Sequence, residues 1–115
     1  MISETHEQEG LVNWFRAKFP TVLIYAIPNG GVRSISTAKR LKAEGVVAGM
    51  PDLHVPQWSL WIEMKRVSGG RVSPDQRRII AELESIGHTV IVGYGATDAS
   101  RKVLEWVAAK TSQPV

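Results

Sequence analysis

A hairpin signature in the middle of the chain constrains it most. Asp52 to Val55 reads as a strand, Pro56-Gln57-Trp58-Ser59 as a turn and Leu60 to Arg66 as a second strand. The second strand alternates: Leu60, Ile62 and Met64 point to one face, Trp61, Glu63 and Lys65 to the other. A turn centred between Gln57 and Trp58 pairs Val55 with Leu60 and, in the same register, Asp52 with Glu63. Directly opposed residues have Cβ atoms about 5 Å apart. Two carboxylates held that close repel unless a cation or a proton lies between them.

The flanks supply helices and further strands. Ser3 or Thr5 caps a first helix to about Lys18, stopped by Pro20, with Glu4 on its inward face and Glu7 and Glu9 on its edges. Thr21 to Ile27 is β-branched and aromatic and predicts a buried strand, ended by Pro28-Asn29-Gly30-Gly31. A short helix over Thr37 to Glu44 closes at Gly45. Ser73-Pro74-Asp75-Gln76 predicts a capped helix start, with Gln76 completing a capping box, and the helix runs to Ile86 before Gly87. Thr89 to Val92 predicts a buried strand, and Thr97 caps a last helix to about Lys110. The order α-β-(α)-β-β-α-β-α predicts an α/β fold, a mixed sheet covered on both faces.

The length of 115 residues fits one domain over 1–110 with a short tail at 111–115. Apolar residues at 43% and charged residues at 22% are those of a globular chain. The longest apolar run, Val22 to Ile27, falls far short of the roughly 20 residues of a membrane span. The N-terminus lacks the pattern of a secretory signal, and there is no cysteine. That excludes thiolate metal sites, disulfides and a cysteine nucleophile, and it fits a cytoplasmic protein. The net charge of +3 permits a polyanionic partner without demanding one.

The carboxylate pair supports phosphodiester hydrolysis. Mg²⁺ or Mn²⁺ between Asp52 and Glu63, with Glu4 as a third acid, would polarise a phosphoryl oxygen and activate water. Lys65 would serve either as general base or as a charge facing the transition state. Against this stands a plainer reading, in which Glu63 and Lys65 form a weak ion pair on the solvent side of an edge strand.

At these residues the chain resembles the virus-type replication-repair nuclease (VRR-NUC) branch of the PD-(D/E)xK nucleases. The resembling pieces are Glu4 with Gln8, Ile27-Pro28-Asn29-Gly30-Gly31-Val32-Arg33, Glu44-Gly45, Gly49-Met50-Pro51-Asp52-Leu53, Glu63-Met64-Lys65 and Ser73-Pro74-Asp75-Gln76. The resemblance implies a restriction-endonuclease-like αβββαβ core and a divalent-metal nuclease. By carry-over, Asp52, Glu63 and the Met64 carbonyl are metal ligands, Lys65 is the catalytic lysine, Glu4 is the helix-borne acid with Glu7 one turn away, and Gln76 lies near the active site. It further implies a homodimer that cuts branched DNA in the manner of Holliday-junction resolvases, in a bacterial or phage-infected cell. Flaps, nicks and linear duplex are the alternative substrates.

Two basic groups bracket the acids: Arg33, Lys39, Arg40 and Lys42, then Arg66, Arg71, Arg77 and Arg78. Together they suit a DNA backbone, and Asn29-Gly30-Gly31 reads as a turn or as a phosphate nest. His54 shares a face with Asp52, and Trp61 shares one with Glu63, so either ring can line the site. Trp58 and Trp106 read as core or interface residues. The competing class is a basic α/β domain that binds nucleic acid or a protein without chemistry.

Overall fold

A computed structural model describes residues 2–28 and 34–111. Four helices, α1 (Glu4–Lys18), α2 (Ile35–Ala43), α3 (Pro74–Ser85) and α4 (Ala96–Thr111), surround strands β1 (Tyr25–Ala26), β2 (Leu53–Val55), β3 (Leu60–Lys65) and β4 (Thr89–Tyr94). The sheet order is β1-β2-β3-β4. β1 and β3 run antiparallel to β2, while β4 runs parallel to β3. The parallel pair is reached through α3, as a crossover requires.

The hairpin register is the expected one, with Val55 opposite Leu60 and Leu53 opposite Ile62. Its turn is a single 3₁₀ turn, Pro56–Trp58, followed by Ser59 in the left-handed region. Alternation then sorts the side chains. Leu53, Val55, Leu60, Ile62, Met64 and Ile91 meet Leu11 and Phe15 of α1 and Ala99 and Val103 of α4 in one core. Gly93 lets α4 close on β4, because a Cβ there would stand 2.4 Å from that of Ala99.

Several expectations are corrected. The stretch from Thr21 to Ile27 is not a buried strand. Only Tyr25–Ala26 pairs, at the sheet edge, and of its apolar side chains Ile24 alone is fully buried while Leu23 is 62% exposed. The physical reason is that β1 has a neighbour on one side only and a turn at its start, where the Val22 N–H donates to the Phe19 carbonyl. β4 is longer than expected, and only Ile91 and Gly93 are fully buried, on the core face. Thr97 is not the cap of α4 but lies inside it. Gly95, at φ 91°, turns the chain straight from β4 into the helix, and α4 runs on to Thr111. α2 begins at Ile35, capped by Ser34, and buries none of its side chains. The capping box at Ser73 and Gln76 is present as read. Trp58 and Trp106 pack on each other, their rings 5.8 Å apart, with Phe15 and Phe19 beside Trp58. Among the described residues, no helix is long and apolar enough to cross a membrane.

Candidate metal and phosphate site

β3 is a central strand, so Glu63 and Lys65 are not an exposed edge pair. Glu63 is 1% exposed and Lys65 8%. Lys65 Nζ stands 3.8 Å from Glu63 Oε2. A buried pair at that separation is a charged contact, not a tight hydrogen bond.

Asp52 lies one residue before β2, and its carbonyl accepts the Ile27 N–H at 2.8 Å. Extending the β2–β3 register by one step places Asp52 opposite Glu63. Its side chain is fixed too, because Asp52 Oδ2 accepts the Met64 N–H at 2.8 Å. The Met64 side chain is fully buried on the core face, so only its backbone can serve the site. Gly49 sets the approach of this segment. Its φ is 90°, and a Cβ there would fall 2.6 Å from the Asp75 backbone at the start of α3.

Both Glu63 oxygens are buried without a hydrogen-bond partner. Burial first and the neighbouring Asp52 carboxyl next push the Glu63 carboxyl up to about 9, with Lys65 opposing and Glu4 adding to the rise. The two carboxyls are close, but neither Glu63 oxygen makes a well-formed hydrogen bond. Two orphaned oxygens on a buried carboxyl, beside a second carboxylate, are a donor set for a hard divalent cation. Asp52, Glu63 and the Met64 backbone are the groups that would hold it.

Glu4 is not brought fully into this set. Among the described residues, no three Asp, Glu or His side chains gather closely enough to hold a metal. Glu4 is felt at Glu63 only through its charge. Glu7 has another task, because its Oε1 accepts the Ala96 N–H at 3.4 Å and so caps α4 from α1. Gln76 is engaged through Oε1, which accepts the Ser73 N–H at 2.8 Å. The capping box therefore accounts for that atom.

Lys39, Arg40, Lys42, Arg66, Arg71, Arg77 and Arg78 are all exposed. Arg40 pairs with Glu44 at 3.3 Å and Arg78 with Asp75 at 3.7 Å, both weak surface contacts. Arg33 and Asn29-Gly30-Gly31 lie outside the described residues.

One feature of the site face is an aromatic row. His54 stacks on Trp61 with ring centroids 3.8 Å apart, and Trp61 Nε1 donates to His88 Nδ1 at 2.9 Å. Tyr25 Oη is 2.7 Å from His54 Nδ1. The His54–Trp61 pairing follows from the hairpin register, but His88 and Tyr25 join through tertiary placement. Burial and the nearby His88 lower the pKa of His54.

No family model and no curated protein matches the sequence. Among solved structures, one described as a VRR_NUC domain protein superposes with a TM-score of 0.76. It covers 94% of this chain and 90% of that chain, at 21% identity. The chain has the fold of a VRR_NUC domain. On this VRR_NUC fold Glu63 and Lys65 lie on the third strand of the sheet and Asp52 immediately before the second. The likeness establishes architecture; chemistry has to be argued from the side chains.

Proposed function

We propose that this protein is a divalent-metal-dependent DNA endonuclease, with Asp52 and Glu63 as carboxylate ligands, the Met64 carbonyl beside them and Lys65 as the catalytic lysine. The single observation that carries the reading is the buried Glu63 carboxyl, with two unpartnered oxygens, facing Asp52 on a central strand. Evolution tolerates such a group where a ligand satisfies it. The VRR_NUC fold supports the same reading.

A Mg²⁺ or Mn²⁺ ion held there supplies Lewis-acid polarisation of a phosphate oxygen and activation of water. The chain's own residues do the rest. Asp52 is pinned through Oδ2 by the Met64 N–H, which leaves Oδ1 as the oxygen for a ligand. Lys65 is held at the same face by the strand and is largely shielded from water, where its charge acts strongly on a developing phosphorane. Glu4, at the start of α1 and felt at Glu63 through its charge, acts as an outer acid through a water of the site. Exposed Lys39, Arg40, Arg71 and Arg77 steer and hold the phosphate backbone, with Arg33 proposed for the same part. Gln76 acts through its amide nitrogen, orienting water or Lys65.

For the substrate, the reading is branched DNA cut by a homodimer, since a two-fold pair of sites suits a symmetric four-way junction. A flap or nick suits a monomer. The test is one gel. Native protein and Lys65→Ala are incubated with a four-way junction, a flap and a linear duplex in Mg²⁺, Mn²⁺ or EDTA. Paired symmetric cuts in the junction, lost with EDTA and in the variant, support a resolvase. Cuts in flap or linear duplex keep the chemistry and discard the resolvase. A folded protein that cuts nothing is a nucleic-acid-binding domain instead.

A further inference from the structure

The row Tyr25–His54–Trp61 lies on the site face, one strand step from the carboxylates. Tyr25 is opposite His54, which is opposite Trp61. The same two registers, two residues along, align Ile27, Asp52 and Glu63, in keeping with the Ile27 N–H bond to the Asp52 carbonyl. Equivalent residues two apart on a strand are separated by about 7 Å. That is within reach of the nucleotide next to a phosphate held at Asp52 and Glu63.

The row is built from the inside out. Trp61 is 8% exposed and anchored by His88 through its indole N–H. His54 lies flat on Trp61, at an interplanar angle of 14°. Tyr25, at the sheet edge, is 41% exposed yet pinned through its hydroxyl to His54. An exposed tyrosine that serves only solubility has no need of a fixed ring. Tyr25 meets His54 edge-on, with ring centroids 5.3 Å apart and planes at 73°, and a ring braced in this way loses little entropy when a flat partner lands on its face.

We propose that Tyr25, held by His54, which itself stacks on Trp61, is a stacking subsite for an unpaired base of the DNA strand bound at Asp52 and Glu63. The inference rests on the nuclease reading for its choice of ligand, and it deepens that reading by naming an unstacked nucleotide as part of the substrate. Paired bases keep their faces covered within the duplex, so the subsite favours single-stranded or distorted DNA.

The test is binding in Ca²⁺, a hard cation that carboxylates hold, with the strands checked to be intact after binding. A short oligothymidylate and an abasic strand of equal length and charge are titrated against native protein, Tyr25→Ala and Tyr25→Phe. Native protein is expected to bind the oligothymidylate about ten-fold more tightly than the abasic strand, the usual worth of one stacked base. Tyr25→Ala, at an exposed position, should bring the two affinities together, while Tyr25→Phe keeps the difference. Equal binding of both strands by native protein, or an undiminished preference in Tyr25→Ala, overturns the subsite. Cutting in the junction gel is a separate readout, so a lost subsite and a lost nuclease are told apart.

Discussion

Asp52 Oδ2 accepts the Met64 backbone N–H at 2.8 Å, and this bond ties the carboxylate of one strand to the backbone of the next, beside buried Glu63. The arrangement costs stability until something neutralises it. Asp52→Asn retains an oxygen for the Met64 N–H and removes the charge facing Glu63. It should leave the melting temperature of metal-free protein unchanged or higher, while DNA cutting falls by about two orders of magnitude or more. Parallel melting curves and cleavage rates check this.

The Glu63 carboxyl gives the metal-free protein a definite pH dependence. Its pKa is raised from 4.5 to about 9 on folding, by burial first and by Asp52 next. The folded state therefore binds the proton more tightly than the unfolded state. The stability from this group is fully present below about pH 4.5 and is lost as pH rises towards about 9. Chemical denaturation in EDTA should show a loss of more than about 1 kcal/mol between pH 5 and pH 9. Glu63→Gln should flatten that slope.

Lys65→Met keeps the aliphatic stem in its 8%-exposed slot and deletes the charge. Cutting should drop about 10²-fold or more, with the fold retained by circular dichroism. If the variant cuts normally, Lys65 has no part in the chemistry.

Glu7 and Glu4 should separate cleanly. Glu7→Ala removes the acceptor for the Ala96 N–H and should cost about 1 kcal/mol of stability, with cutting preserved. Glu4→Gln should leave stability nearly unchanged and shift the Mg²⁺ dependence of cutting to higher concentration. Denaturant titrations and metal titrations of both variants provide the comparison.

Asp98 sets the acid limit of α4. Burial pushes its pKa up, but hydrogen bonds from Lys102, the Tyr94 N–H and Arg101 outweigh that and bring it from 3.8 to about 2. Its contribution is present above about pH 3.8 and is lost as pH falls through about 2. Asp98→Asn should cost of order 1 kcal/mol at pH 7, a difference that vanishes in strong acid.

What was legible in the sequence is what local rules decide. The hairpin register, the shared face of Trp61, Glu63 and Lys65, and the Ser73–Gln76 capping box all follow from spacing within a few residues. The burial of Glu63 did not, because alternation alone cannot tell a central strand from an edge. That required β4 to dock in parallel on β3. Conversely, the apolar run before Pro28 reads as core but lies at the edge, where Ile24 alone is fully buried and Val22 packs only partly against the core. The cap of α4 was invisible for a related reason: Glu7 and Ala96 are 89 residues apart in sequence. The Tyr25–His54–Trp61–His88 row likewise joins three strands and the residue before a fourth.

Calorimetric titration of Mn²⁺ into metal-free protein tests the central claim most directly. The account predicts a saturable site in native protein that is lost in Asp52→Asn and in Glu63→Gln. Equal binding by all three proteins, or none by the native one, would contradict it.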